Sequence, residues 1–270
     1  MQTPGFEKKI SRASGGYIPL SHSLAFLFST KRLIGLSALL FVVTIALTWL
    51  GMDLSLAFID RLTGGFFLTP PETASILGWL KYSGWTLLTW LYFFVSRIAA
   101  FYLAFLLAFT VSTPGYVFLA TAAEKIQAGD QFEMDDGLTL RGILIDLWEG
   151  LKIACFGILI SIAALIVNFI PLVGQLVALL LYIYFSALMF LDYPASRRRW
   201  PLRKKMAWVR EHRGHSFRLG LFPALVSMIP IVNIFLMALL FPVLTVHATL
   251  NFTSLELAGR LPAAGERHGP

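Results

Sequence analysis

The sequence predicts an all-α integral membrane protein, one membrane domain over residues 1–270. It combines two long transmembrane helices, two proline-broken re-entrant (half-penetrating) helical hairpins and short amphipathic surface helices. Three observations predict it. Hydrophobic residues make up 57% of the chain and the mean hydropathy is +0.73, too apolar for a water-soluble fold of this length. Two stretches, 153–191 and 219–255, contain no Asp, Glu, Lys or Arg. Each is interrupted by the same device, Ile170-Pro-Leu-Val-Gly-Gln175 in the first and Ile229-Pro-Ile-Val-Asn233 in the second. Proline removes a backbone donor and clashes with the preceding turn, so each run reads as two helices meeting at a corner. The related corners form an internal repeat of a helical hairpin. Strand alternation is absent, and open sheet edges would go unsatisfied in lipid.

Residues 1–16 are polar and end on Gly15-Gly16, a flexible N-terminus. Pro19 suits the start of a short helix. Leu20, Leu24, Leu27 and Phe28 then share one face, as in a helix lying on a membrane surface. Ser29-Thr-Lys-Arg32 interrupts the apolar pattern, and residues 33–50 form the first span, expected to stay in the mature protein as an anchor rather than to be cleaved. A connector with Gly64-Gly65 and Pro70-Pro71 leads to a second long helix over 79–125. Trp79, Tyr82, Trp85 and Trp90 crowd its start like an interfacial aromatic belt, and Pro114-Gly115 is expected to break or kink it. An acidic linker over 130–149 precedes the first hairpin, 150–191. The most basic segment follows and reads as an amphipathic surface helix over 197–213, with Leu202, Met206 and Val209 on its apolar side. The second hairpin occupies 215–255, and 256–270 is a flexible C-terminus.

The depth of the hairpins comes from arithmetic. From Leu219 to Ile229 a helix rises roughly 16 Å, against a hydrocarbon core of about 30 Å that takes about 20 residues to cross. That arm is too short to span, so the second hairpin reads as re-entrant, and the first follows by repeat analogy although its arms are longer. Two spans and two returning hairpins put both termini, the acidic linker and the basic segment on one side. Lys and Arg concentrate there, which makes it the cytoplasm. The same bias accounts for a net charge of +7 and a pI near 9.7 without a nucleic-acid partner. Cys155, the one cysteine, reads as a small buried hydrophobe.

Enzyme signatures and cofactor fingerprints are missing: no Gly-x-Ser-x-Gly, His-Glu-x-x-His, P-loop or dinucleotide motif occurs. The two histidines of Glu211-His-Arg-Gly-His215 sit among arginines whose field opposes a metal cation. His247, the histidine within an apolar run, reads as a structural contact to a hydroxyl such as Thr245 or as a proton relay. Arg97 lies well inside the second long helix. A charge there is costly unless it pairs, snorkels or meets water, so it is either functional or set at the interface by a span that starts at Ile98. Ser29 or Thr30 as a cap, followed by Lys31 and Arg32, would combine open backbone N–H groups, the positive end of a helix dipole and two cations. That is an anion site or an ordinary positive flank.

The two Ile-Pro corners, Phe185-Ser-Ala187, Asp192-Tyr-Pro194, and Pro114 followed by Glu124 resemble the CysZ sulfate permeases over about residues 20–250. The resemblance implies a multi-pass protein of the bacterial inner membrane that imports sulfate for cysteine biosynthesis; the charge bias above adds cytoplasmic N- and C-termini. It also implies a homo-oligomer in contact with membrane lipid. It carries a sulfate-binding turn onto Thr30, Lys31, Arg32 and Leu33. Arg97, Glu124, Asn168, Gly174, Gln175, Asn233 and His247 are then the pore or coupling candidates, Glu124 and His247 as proton carriers. The chain departs from the pattern where Lys31 replaces an arginine, where no glycine precedes it, at Thr121 in place of an acidic residue, and in the acidic linker. The wider family includes the etoposide-induced membrane proteins, so transport of another anion or a non-transporting membrane scaffold stays open.

Overall fold

The computed structural model describes residues 16–63, 70–72, 75–132, 140–229 and 232–260, and every regular element among them is helical. In chain order these are α1 (Leu20–Ser29), α2 (Lys31–Thr63), α3 (Ile76–Ala128) with a 3-10 turn at Gly129–Gln131, α4 (Leu140–Val167), α5 (Val173–Arg197), α6 (Leu202–Glu211), α7 (Arg213–Ser227) and α8 (Val232–Arg260). Five are long and apolar enough to cross a membrane by length and composition: α2, α3, and the greater part of α4, α5 and α8. Both arms of the first hairpin are among them. Among the four hairpin arms α7, at 15 residues, is the short one, rising roughly 22 Å. The expectations for residues 1–15 and 261–270 lie outside the described residues, while α8 carries helix on to Arg260.

The chain forms two compact units, 40–113 and the remainder. In the first, Thr44 Oγ1 donates to Ser112 Oγ at 3.3 Å, Gly51 faces Ala104, and Tyr92 OH donates to Asp60 Oδ1 at 2.9 Å. Partner numbers fall as chain numbers rise, so α2 and α3 run antiparallel here. A Cβ on Gly51 would come within 3.3 Å of that of Ala104, the close small-residue approach by which membrane helices gain van der Waals contact. The break expected at Pro114 does not occur: α3 is continuous through it. In apolar surroundings a backbone group freed by proline finds substitutes, and membrane helices tolerate the residue. Pro114 does mark where the second unit resumes.

In the second unit α5 is the hub, packing on α4, α6, α7 and α8. Two glycines allow it. A Cβ on Gly220 of α7 would overlap the Ile183 carbonyl of α5, and one on Gly157 of α4 would overlap the Phe185 ring. Leu188, Leu191 and Ala195 of α5 meet Trp200, Trp208, Val209 and Phe252 in one apolar cluster. The first hairpin turns within five residues, 168–172. Val173 N–H bonds the Pro171 carbonyl at 2.7 Å around Leu172, whose φ of 63° and ψ of −61° form the positive-φ type of γ-turn. Gly174 then closes against the Val167 carbonyl, where any Cβ would collide. At the second corner Pro230 and Ile231 lie outside the described residues.

The two short helices differ from their sequence reading. In α1 the buried positions are Ser23, Phe26 and Leu27, whereas Phe28 is exposed. This helix packs on α8, so its inner face is chosen by that neighbour rather than by hydropathy. In α6 Trp208 and Val209 are buried as an apolar face should be, but Lys205 is buried beside them. Cys155 is exposed on α4, not enclosed.

Candidate functional site

The α1–α2 corner is built from one non-helical residue. Thr30 adopts extended backbone (φ −111°, ψ 102°), and its carbonyl accepts from the N–H groups of Leu33 at 3.0 Å and Ile34 at 3.1 Å. The amides of Lys31 and Arg32 in the first turn of α2 have no acceptor among the described residues. Both side chains are exposed, while Leu33 is fully buried and fixes the helix start. Thr30 is partly buried, and no cap from its hydroxyl is formed. Sequence spacing brings these four residues together, and the structure keeps them so: two cations and two open donors at the positive end of a 33-residue helix.

The cations of the basic segment divide sharply by burial. Arg197 grips Glu124 with two bonds, Nε to Oε2 at 2.9 Å and Nη2 to Oε1 at 2.8 Å. Arg198 Nη2 reaches the same Oε1 at 3.0 Å while its Nη1 bonds Glu256 at 3.0 Å, and Trp208 Nε1 donates to Glu256 at 3.2 Å. Lys205 donates to Asp192 at 2.5 Å, and Ser196 donates to the same carboxylate oxygen at 3.0 Å. Glu149 accepts from Lys152 and, at 2.9 Å, from the Leu202 N–H, so a residue of the acidic linker caps α6. Buried charge is tolerable when it is paired and hydrogen-bonded, and these groups are. Arg198 and Lys205 are thereby committed to protein carboxylates, and Glu124 holds two guanidinium groups. Arg199, Arg203, Lys204, Arg210 and Arg213 stay exposed, with no carboxylate partner among the described residues.

His247 sits in the middle of α8, with Ser23 Oγ 2.7 Å from its Nδ1 and Tyr17 OH 3.1 Å from its Nε2. One turn on, Asn251 accepts from the Ile18 N–H at 2.8 Å and donates to the Ile18 carbonyl at 3.1 Å. Thr245, named from sequence as a partner for His247, instead bonds the Phe241 carbonyl of its own helix. His212 stacks on Trp208 and His215 lies against Tyr17, so the two do not converge, and no metal-holding cluster exists among the described residues. Burial pushes the Tyr17 phenol above its ordinary pKa, with the nearby Arg218 guanidinium pulling partly back.

The remaining candidates are scattered. Asn168 and Gln175 are exposed at the first hairpin corner, with Gly174 buried between them as a packing glycine. The side chain of Asn233 lies outside the described residues. In its own unit Arg97 is exposed and lies flat on Phe93 of the preceding turn, 3.4 Å from the ring centroid. Sequence reading missed Arg197 and Arg198 as partners of Glu124, and also Tyr17, Ser23 and Asn251. For Asn251 a signal existed, since it stands four residues after His247 and repeats that helix face.

A family model described as "Sulfate transporter CysZ/Etoposide-induced protein 2.4" matches residues 20–238. The chain belongs to this family. Among its relatives in the CysZ/etoposide-induced family, a protein of Pseudomonas fluorescens (strain Pf0-1) named sulfate transporter CysZ is 29% identical over 174 residues, 62% of this chain and 67% of that one. A sulfate transporter CysZ of Salmonella typhimurium (strain LT2) is 35% identical over 81 residues, 28% of this chain and 32% of its own. The matched stretch thus spans two thirds of the first relative and about a third of the second. The resemblance carried by the paired Ile-Pro corners is borne out as family membership, and the CysZ family is one of transporters, not enzymes.

Proposed function

We propose that this protein is a sulfate permease of the bacterial inner membrane, importing sulfate for cysteine biosynthesis as a lipid-embedded homo-oligomer with cytoplasmic termini. The observation that carries the reading is the family match from residue 20, which includes the α1–α2 corner, together with the open donors and exposed cations of that corner. Sulfate needs several donors at once. Lys31 and Arg32 with their own amides supply them, while the partly buried Arg198 and the buried Lys205 are already held by carboxylates. Arg32 engages two sulfate oxygens through its guanidinium fork, and Lys31 adds a point charge. Thr30 and Leu33 shape the turn.

Beyond the corner, Asn168, Gln175 and Asn233 at the hairpin tips and Arg97 on the long helix line or tune the path, and Gly174 sets the tip that presents them. Glu124 and His247 are the coupling groups. Both hairpins are re-entrant in this reading. Moving a dianion inward against an inside-negative potential of 100 mV costs about 4.6 kcal/mol, so uptake requires rapid consumption of sulfate inside or coupling to protons. Lysine at position 31 and the lack of a glycine before it favour a second reading, another oxyanion handled by the same corner.

The test is radiolabelled sulfate binding and uptake by purified protein in liposomes. Charge-assisted bonds contribute roughly 1.5–3 kcal/mol each, so removing both Lys31 and Arg32 side chains should weaken sulfate binding at least about tenfold. Arg32→Ala should cost more than Lys31→Ala. Unchanged affinity in the double variant would end the sulfate assignment at this corner.

A further inference from the structure

Residues 17–23 reach the protein through polar contacts of a kind that a simple surface helix does not need. Asn251 reads one backbone unit with both ends of its amide, accepting from Ile18 N–H and donating to Ile18 C=O, as a neighbouring strand would. Its second amide hydrogen goes to the His247 carbonyl at 2.9 Å. The donor inventory is then complete, and the 3.4 Å approach of Asn251 Nδ2 to His247 Nδ1 is proximity rather than a third bond. Both ring nitrogens of His247 therefore face the N-terminal stretch.

Two proton arrangements satisfy the same contacts. In one, Tyr17 OH donates to Nε2 and Nδ1–H donates to Ser23 Oγ, whose hydroxyl faces the Pro19 carbonyl at 3.4 Å. In the other, Nε2–H donates to Tyr17 OH, whose hydrogen faces the Arg218 carbonyl at 3.5 Å, and Ser23 donates to Nδ1. Both ring nitrogens engage the N-terminal stretch in either case. Arg218 of α7 lies 5.3 Å over the Tyr17 ring and closes the outer side. Ser23 is fully buried, and one turn further Phe26 and Leu27 are buried too, so the polar clasp continues into apolar packing as far as Leu27.

We propose that His247 and Asn251 are positioning residues: they clasp Tyr17, Ile18 and Ser23 onto α8 and so hold α1 and the anion-binding corner at its end in a fixed orientation. This rests on the sulfate reading of Thr30, Lys31 and Arg32. The link is mechanical. Thr30 stands seven positions after Ser23, about two helical turns with no flexible insert, so the tilt of α1 at the clasp is transmitted to the corner. Both residues lie beyond position 238, where the family match ends, whereas Ser23 lies within it. The clasp also gives His247 a task other than carrying protons.

Two readouts test it on full-length protein. A nitroxide on a cysteine at Ala25, in a Cys155→Ser background, reports the mobility of α1 without sulfate. The label should be restricted in that background and mobile in Asn251→Leu and His247→Phe. Sulfate affinity should fall at least about fivefold in those two variants. Thr245→Val, equally buried on α8 but bonded within its own helix, should lower thermal stability without changing either readout. Asn251→Gln should restore part of the affinity, as a side chain that still offers both an acceptor and a donor. A restricted label in Asn251→Leu overturns the clasp whether or not sulfate binds. A mobile label with unchanged affinity overturns the positioning role. If the wild type binds no sulfate while the label loosens as expected, the clasp stands and the substrate reading fails.

Discussion

The two hairpins share an Ile-Pro corner and little else. Along α4 and around the first corner, many apolar side chains point away from the protein: Leu159, Ile162, Leu165, Ile166, Phe169, Leu172 and Leu176 are all exposed. On α8 the buried set includes Thr245, His247, Thr249, Asn251 and Thr253. The more apolar tip of the first hairpin is outside and the more polar stretch of α8 is inside. In water this would be inverted. In a bilayer the hydrocarbon is as apolar as leucine, so burial brings no hydrophobic gain, and the interior is held by close backbone approach and satisfied polar groups. Gly220 against Ile183 and the contacts of Asn251 are examples of each. High hydropathy in such a chain marks the side that meets lipid, not the core.

The comparison breaks first where the end of α5 meets α6. Asp192→Leu would strand the buried Lys205, at a cost of about 3–5 kcal/mol, seen as loss of monodisperse protein or a large fall in Tm. Adding Lys205→Met should recover most of that loss, and a double variant as unstable as the single one would mean that the pair is not what holds the end together. Next, matched leucine truncations weigh interior against exterior. Leu250→Ala on α8, where the side chain is 2% exposed, should cost about 2–5 kcal/mol. Leu165→Ala on α4, 64% exposed, should cost less than about 1 kcal/mol. Equal costs, measured by thermal unfolding in one detergent, would mean that the first hairpin is enclosed by another chain. The smallest effect is expected at Arg97. Its stacking on Phe93 contributes about 0.5–1 kcal/mol, so Arg97→Leu should fold normally yet lower sulfate flux; wild-type flux would make it an interfacial anchor and no more.

Much of this architecture is legible in residue order. The uncharged runs give α2, α4, α5 and α8, and the Ile-Pro corners give the hairpin turns. What stays hidden is the identity of partners far apart in sequence. Ser23 falls off the apolar stripe of α1, so a helical wheel places it in water, and only His247, 224 residues later, explains its burial. Lys205 reads as surface for the same reason, because nothing local announces Asp192 as its mate. Pro114 allows a break or a kink from sequence; the break does not occur, because the rule that proline ends a helix comes from water, where a lost backbone bond is replaced by solvent rather than by the helix's neighbours. At the candidate site the cluster Thr30, Lys31, Arg32 and Leu33 is contiguous and so was readable. The clasp behind it, assembled from residues 17, 18, 23, 247 and 251, was not.

Leu172 has a consequence for where its hairpin rests. A leucine at φ 63° pays roughly 1–2 kcal/mol that a glycine would avoid, and its side chain, 81% exposed, recovers nothing from packing. Moving that side chain from water into hydrocarbon is favourable by roughly 1.5–3 kcal/mol, enough to offset the twist. In water the residue would be all cost. In the re-entrant reading proposed above, the corner thus behaves as a barb that is at ease while sunk in the bilayer, and each excursion to an aqueous face works against it.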